Sequence, residues 1–224
     1  MSAEDPRRAA EELLAMAAHD LRAPLRQLGL RLALLRRKHA AELPSAVATD
    51  LEAAQEEARQ LQGLLENMLS WAAGTPDQSP QAWSLEQLVD AALSQLGGED
   101  VQSRIAVDQG LPTVLGRRAA LLRIISNLLR NALVHGGDSV RVRVQPARAG
   151  SLAGLDIRDD GPGIPAALQE RIFSPFERGA SRAAGTGLGL AICRRLIEEE
   201  GGQISLSSEE GQGACFRVLF PAVA

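Results

Sequence analysis

"LAMAAHDLRAPLRQLGLRLALL", residues 14–35, places Leu14, Ala18, Leu21, Leu25, Leu28, Leu32 and Leu35 in alternating steps of four and three. That spacing keeps one apolar seam on one side of a helix. A second seam with the same steps runs through Val47, Leu51, Ala54, Ala58, Leu61, Leu65, Met68 and Ala72. Between them "KHAAELPSA", residues 38–46, holds Pro44 and is short enough to turn the chain back on itself. An antiparallel helical hairpin is therefore expected over residues 1–73. Two helices with so narrow an apolar stripe bury too little alone. Two copies are expected to pair into a four-helix bundle, which predicts a homodimer.

The phase of the seam also places a histidine. Ala18, Leu25 and Leu32 fall on one seam line and Leu21 and Leu28 on the other, so His19 stands beside the seam on the outward face, followed at once by Asp20. A neutral imidazole has a free nitrogen lone pair, and an adjacent carboxylate can hold the other ring N–H. Pro24 has no N–H for the Asp20 carbonyl and crowds that turn, so a bend is expected beside the histidine.

Downstream, "AAGTPDQSPQAW" (residues 72–83) gathers Gly, Pro, Ser, Asp and Gln without periodicity, and residues 74–82 read as a linker. Residues 83–224 mix helical stretches with alternating strands. The helices are "SLEQLVDAALSQL", "RRAALLRIISNLLRNALVH" and "LGLAICRRLIEEE"; the strands are "SVRVRV", "GLDIRDD", "GQISLSS" and "ACFRVLF". The last two strands flank "EEGQG", a hairpin turn, so part of the sheet is antiparallel. The expected class is α+β, with helices on one face of the sheet.

Composition removes several functions. A formal net charge of -4 leaves no basic footprint for nucleic acid. No run of about 18 apolar residues exists to span a bilayer, and the first residues lack the basic-then-apolar layout of an export signal. A cytoplasmic location with no membrane contact is expected for this chain. Cys193 and Cys215 lack metal-ligand spacing and read as small buried apolar residues.

Three clusters in the second part carry chemistry. In "NLLRNALVHG", Asn127 and Asn131 lie four apart on one helix face, where their amide oxygens can reach a magnesium ion held mostly by phosphate oxygens and water. In "DDGPGIP", Asp159 ends a strand, where a carboxylate can accept a hydrogen bond from an exocyclic amine. Gly161 and Gly163 there allow a tight turn and a close approach of backbone to a flat ligand. In "GTGLGLAI", Gly185, Gly187 and Gly189 lead straight into a helix whose first amides can bind phosphate. The spacing fits neither a Walker A loop nor a Rossmann fingerprint.

Together "HDLRAPL", "NLLRNA", "DDGPGIP", "FSPFERG" and "GTGLGLAI" resemble, in order and spacing, the sequence boxes of bacterial two-component sensor histidine kinases. The resemblance covers nearly the whole chain. It implies a dimerising phosphoacceptor hairpin followed by an ATP-binding α/β sandwich of the kind shared with gyrase, Hsp90 and MutL. It implies that His19 accepts phosphate from Mg-ATP, that Asp20 holds the ring's other proton, and that the phosphoryl group passes to the receiver domain of a response regulator. Asn127 and Asn131 resemble the magnesium-site asparagines, and Asp159 the carboxylate that reads the adenine amine. The glycines 161, 163, 185, 187 and 189, with Ile164, Thr186 and Leu188 among them, resemble the residues lining the nucleotide. "FERGASRAA", residues 176–184, would be its lid, with Arg178 and Arg182 available for phosphate. His135 stands where many family members carry an aromatic residue beside adenine.

Two positions depart from the family pattern. Val134, three after Asn131, replaces an often basic residue. Ala23, four after His19, replaces the Thr or Asn used in phosphatase activity, so weak phosphatase activity is expected. Sensor and receiver segments are absent from the sequence, and a longer parent could carry a membrane sensor. The competing classes are an ATP-hydrolysing machine of the same nucleotide fold, which resembles its fold-mates in a glutamate at the place of Asn127, a pseudokinase that only binds partners, and a serine kinase of the anti-sigma type, which would not need the hairpin.

Overall fold

The computed structural model describes residues 6–39, 43–73, 79–96, 99–137, 139–175, 177 and 187–223, with backbone only at 6–16, 18–19, 45, 56, 59–60, 64, 66–73 and 99–100. The chain divides into two compact units, residues 1–74 and 75–224.

The first unit is a helical hairpin of α1 (Pro6–His39) and α2 (Ser45–Ala73). Helix α1 runs through Pro24 without ending there, since the ring removes only one intrahelical bond while flanking turns persist. The chain turns at Leu43 and Pro44, where Leu43 N–H donates to the His39 carbonyl and Ala48 N–H to that of Pro44. Gly29 leaves room for Gln62, whose Nε2 donates to the Leu25 carbonyl at 3.0 Å and ties the helices together. Ala58 and Leu65 are buried between the helices and Leu25 and Leu32 half-buried. The other seam line stays open: Leu21, Leu28 and Leu35 are 51, 46 and 48% exposed.

The second unit opens with β1 (Gln81–Ser84), which pairs antiparallel with β3 (Thr113–Gly116). Gln81 and Ala82, read as linker from the sequence, belong to this strand; four residues are too few to display a period. Residues 74–78 of that linker lie outside the described residues. Between the two strands come α3 (Leu85–Leu96), the single turn α4 (Glu99–Gln102) and β2 (Ile105–Val107). Then follow α5 (Arg118–Gly136), β4 (Val142–Ala149), β5 (Leu152–Asp159), α6 (Ala166–Gln169), a 3-10 turn (Arg171–Phe173), α7 (Gly189–Glu199), β6 (Gln203–Ser208) and β7 (Ala214–Pro221).

The main sheet has the order β2-β4-β5-β7-β6, parallel between β2 and β4 and antiparallel elsewhere. Pro146 sits within β4 at no cost to the ladder. Val142 N–H and the Val144 carbonyl bond toward the β2 side, and by the same alternation Pro146 faces that side beyond the end of β2. Inward residues Val144, Leu155, Ile157, Phe216, Val218 and Phe220 meet Leu121, Ile124, Ile125, Leu128 and Leu129 of α5 in a fully buried core. Helices α3 and α7 flank α5, so one face of the sheet is covered, as the α+β reading expects. The other face carries Arg143, Asp156, Arg158 and Arg217 on alternate positions. Cys193 is buried, whereas Cys215 lies on this open face and is only half-buried.

One ion pair locks the helix layer. Glu200, just after α7, is buried; its Oε1 accepts from Arg117 Nε at 2.6 Å, and its Oε2 accepts from the Arg117 backbone N–H at 2.9 Å. Arg117 is the N-cap residue of α5 and offers no side-chain cap of its own, so the carboxylate of Glu200 takes that role. Removing one partner of such a pair leaves a buried charge alone, which costs about 3–5 kcal/mol. Arg117→Ala should therefore lower the unfolding free energy by about 3 kcal/mol in urea titration. The exposed i,i+4 pair Arg194–Glu198 provides the contrast, and Arg194→Ala should cost less than about 0.5 kcal/mol.

Candidate functional site

The buried stripe of α5 (Leu121, Ile124, Ile125, Leu128, Leu129, Ala132) faces the sheet and neighbouring helices. Asn127, Asn131 and His135 follow one another at four-residue steps on the margin of that stripe, the asparagines half-buried and the histidine exposed. The helical period thus puts three polar side chains in a row along one edge of a helix that is otherwise anchored by apolar contact.

Asp159 ends β5. It continues the inward row of Leu155 and Ile157, so its side chain turns toward the helix layer and is 7% exposed. Its Oδ1 accepts two backbone N–H bonds, from Gly161 at 3.0 Å and from Ala214 at 3.2 Å. Both bonds fall on one oxygen, so Oδ2 takes no part in holding the side chain. Burial raises the carboxyl above its ordinary range, against the opposing pull of the two amides. Burial likewise lowers the imidazole of His135, and the negative charge of Asp159 works against that shift, which sets the two side chains in one electrostatic neighbourhood.

Gly161 and Gly163 are required by the protein's own backbone before any ligand is considered. A Cβ on Gly161 would stand 2.7 Å from the Cα of Gly136 at the end of α5 and 2.9 Å from Asp159 Oδ1. Gly163 has φ +72°, and a Cβ there would run into the Glu209 carbonyl of the β6–β7 turn. The same loop is tied down by Ile164 N–H, which donates to Ser208 Oγ at 2.9 Å, and by Gln169 Nε2, which donates to the carbonyls of Ile164 and Ser208. Ile164 itself is half-buried. Sequence reasoning missed Ser208 and Gln169, because neither carries a local pattern and both act only through tertiary contact.

At the other end of the row, Asn127 meets α7. Among the described residues its Nδ2 is buried without a hydrogen-bond partner, and the amide lies in the electrostatic neighbourhood of Cys193. Burial pushes the Cys193 thiol up to about 12, with the Asn127 amide pulling the other way. Gly187 has φ +67°, Leu188 is buried and caps α7, and Gly189 begins it. Among the described residues, a Cβ on Gly189 would meet nothing within 4 Å. The cap makes no side-chain hydrogen bond to the first amides of α7, which leaves helix donors of the kind that bind phosphate.

The structure therefore brings together Asn127, Asn131, His135, Asp159, Gly161, Gly163 and Ile164, with the start of α7 reached through Asn127. Arg178, Arg182, Gly185 and Thr186 lie outside the described residues, as does the side chain of His19, whose backbone is helical in α1. Asp20 is exposed on the same helix. Among the described residues no group of three His, Cys, Asp or Glu side chains could hold a metal ion. The donor set that fits is the pair of amide oxygens on α5, too few to hold a hydrated dication without oxygens from a ligand such as a nucleotide.

Both units match families of known proteins. The model of the His Kinase A (phospho-acceptor) domain matches residues 9–74, and that of the histidine kinase-, DNA gyrase B- and HSP90-like ATPase matches residues 116–224. The alginate biosynthesis sensor protein KinB of Pseudomonas aeruginosa is 30% identical over 96% of this chain and 37% of its own length. The adaptive-response sensory kinase SasA of Synechococcus sp. is 31% identical over 94% of this chain and 59% of its own. The chain thus spans between about a third and three fifths of these two relatives. Among solved structures, full-length ShkA in complex with AMPPNP superposes with a TM-score of 0.68 at 27% identity, covering 95% of this chain and 46% of that one. The mycobacterial sensor histidine kinase MprB gives 0.56 at 26% identity, over 63% of this chain and 98% of that one. With a phosphoacceptor hairpin followed by an ATPase domain of this type, the chain belongs to the two-component sensor histidine kinases and carries their catalytic core.

Proposed function

We propose that this chain transfers the γ-phosphoryl group of Mg-ATP to His19 and passes it on to an aspartate in the receiver domain of a response regulator. The observation that carries the reading is Asp159: a buried carboxylate held through one oxygen beside the asparagine row of α5, with its second oxygen left for an adenine amine. Relatives named as sensor proteins and sensory kinases support the same reaction class.

In this reading Asp159 Oδ2 accepts from the adenine amine, and His135, one turn beyond Asn131, lies against the base. The loop of Gly161, Gly163 and Ile164 borders the base, and Gly185, Thr186, Gly187, Leu188 and Gly189 enclose the phosphates together with Arg178. The first amides of α7 donate to the phosphate oxygens. Asn127 and Asn131 offer amide oxygens to magnesium, which when bound supplies positive charge to the β- and γ-phosphate oxygens. The His19 ring nitrogen attacks the γ-phosphorus, the N–P bond forms, and the bond to the ADP oxygen breaks. Asp20 holds the other ring N–H and balances the charge that grows on the imidazole. Transfer of this kind asks mainly for positioning, which a rigid α5 margin provides.

The open seam line supports a homodimer. Leu21, Leu28 and Leu35 of α1, with Val47 and Leu61 of α2, remain 42–51% exposed in one copy, and a second hairpin would cover them. No helix among the described residues is long and apolar enough to cross a membrane, and a cytoplasmic place for this chain is proposed with that support. An ATP-hydrolysing machine is the weaker reading, because the Asn127 amide cannot take a proton from water as a glutamate does.

Incubation with Mg-ATP should label the protein with phosphate that survives base and is lost in acid, as a phosphoramidate must. His19→Ala should abolish the label; acid-stable label, or label that persists in the variant, would remove His19 from the reaction.

Asp159→Asn separates stability from binding. The folded state favours the protonated acid, so its ionised form is an unfavourable contribution that appears as pH rises through the raised folded value and is absent below the ordinary value of 3.8. The variant should therefore melt higher than the parent at pH 7 and match it in acid. It should also lose about tenfold to a hundredfold in ATP affinity by calorimetry, since its Oδ1 stays with the two amides and an NH2 group then faces the adenine amine.

Ala23 predicts weak phosphatase activity. One turn beyond His19, its methyl group cannot hold a water in line with a phospho-aspartate. Ala23→Thr should speed dephosphorylation of the partner regulator by up to about a hundredfold and leave autophosphorylation unchanged. Vigorous phosphatase activity in the parent protein would contradict this.

A further inference from the structure

The two amides that hold Asp159 Oδ1 come from different pieces of chain, Gly161 from the loop after β5 and Ala214 from the start of β7. One oxygen can stay between them only while those two pieces keep a fixed spacing. A single side chain bridges both pieces. Ser208, the last residue of β6, accepts the Ile164 N–H at 2.9 Å and donates its own hydroxyl hydrogen to the Gly213 carbonyl at 2.7 Å. Ile164 lies three residues after Gly161, and Gly213 immediately precedes Ala214. An amide N–H can only donate and a carbonyl can only accept, so the hydroxyl works in both senses at once. The neighbouring backbone is equally close. Gly213 has φ +81°, and a Cβ there would run into the Asp159 carbonyl. The Pro162 carbonyl accepts the Gly211 N–H at 2.8 Å. The β5 end of the loop is pinned separately by Asp160, whose Oδ1 accepts the Arg141 N–H at 2.7 Å.

We infer that Ser208 is a positioning residue for Asp159, its hydroxyl setting the spacing of the Gly161 and Ala214 amides and so the direction in which Oδ2 meets the exocyclic amine of a purine. The inference rests on the proposed adenine role of Asp159 and adds what aims that side chain. A methyl group in place of the hydroxyl serves neither partner. Without the bridge the loop and the β6–β7 turn can separate, Oδ1 loses hold of its amides, and the carboxylate no longer presents Oδ2 at one place. The strength of a charge-assisted hydrogen bond depends steeply on distance and angle, so a small displacement registers in affinity. The proposed phosphate contacts lie on other segments, and the effect therefore falls on recognition of the base.

The test uses the whole chain with Ser208→Ala, which removes one oxygen atom and with it both bonds, and Ser208→Cys, which keeps a longer and weaker bridging group should the alanine variant fail to fold. Arg117→Ala is the destabilised control, because it loosens the end of α5 opposite to the one that meets Gly161. The first measurement follows the Asp159 carboxyl by carbon NMR against pH without nucleotide. The two amides oppose the upward push of burial, so weakening them should move the titration further up in Ser208→Ala, less far in Ser208→Cys, and not at all in Arg117→Ala. The second is calorimetric titration with ADP and with the analogue whose purine carries hydrogen in place of the amine. The preference for ADP should fall about fivefold or more in Ser208→Ala, through weaker ADP binding with the analogue unchanged, and keep its parent value in Arg117→Ala. An unmoved titration or an undiminished preference in the Ser208 variants overturns the inference, and so does an equal change in Arg117→Ala, which would mark a general loss of rigidity. Asp159→Ala keeps two failures apart. If it retains the preference for ADP, the adenine role of Asp159 fails and the role of Ser208 falls with it; if it loses the preference while the Ser208 variants keep it, the positioning role alone fails.

Discussion

The end of β5 is pressed against the end of α5. A Cβ on Gly161 would stand 2.7 Å from the Gly136 Cα, and this backbone contact ties the strand that carries Asp159 to the helix that carries Asn131 and His135. The rest of the site follows from it. Ala214 of β7 reaches the same Asp159 oxygen, the 161–164 loop leans on the β6–β7 turn, and Asn127, two turns back along α5, reaches α7. Four separate pieces of chain are therefore placed by one helix whose other side is wholly buried in apolar contact.

Among the described residues the second unit buries two carboxylates, and they are treated in opposite ways. Glu200 receives a guanidinium and a backbone amide and so closes the helix layer onto the start of α5. Asp159 receives two neutral amides on one oxygen and no cation among the hydrogen bonds that hold it. Burial of a charge without a counter-charge costs stability unless a ligand completes its bonding. The first arrangement is a fastening, and the second leaves a buried carboxylate that the fold maintains against its own preference. The exposed pair Arg194–Glu198 contributes little to either, because water screens it.

The hairpin has a different logic. Its helices hold together through Ala58, Leu65 and the Gln62 bond to the Leu25 carbonyl, yet one seam line stays half exposed. The one helix packed against α1 half-buries Leu25 and Leu32 and leaves Leu21, Leu28 and Leu35 exposed, so a single hairpin does not cover its own seam. The helix continues through Pro24, which leaves this stretch of α1 with one missing backbone donor.

The amino-acid sequence by itself determined what depends on local periodicity. Steps of four and three defined the two hairpin helices, and the apolar periods of α3, α5 and α7 placed them to within one or two residues. Alternation marked β4 to β7 as strands, the turn "EEGQG" made β6 and β7 an antiparallel pair, and Asp159 was legible as the end of a strand. The asparagine spacing on α5 was equally legible, because a helix converts separation in sequence into position on a face. Only the tertiary structure decided what depends on contact between distant segments. The β1–β3 ribbon and the short β2 carry too few residues to show a period. Gly161 and Gly163 read as a tight turn open to a flat ligand, and only the structure shows that a Cβ at either would also meet the backbone of α5 or of the β6–β7 turn. Ser208, Gln169, Glu200 and Cys193 act on residues 39 to 83 positions away along the chain or across helices. No local pattern can encode such contacts, since they exist only once packing has brought the segments together.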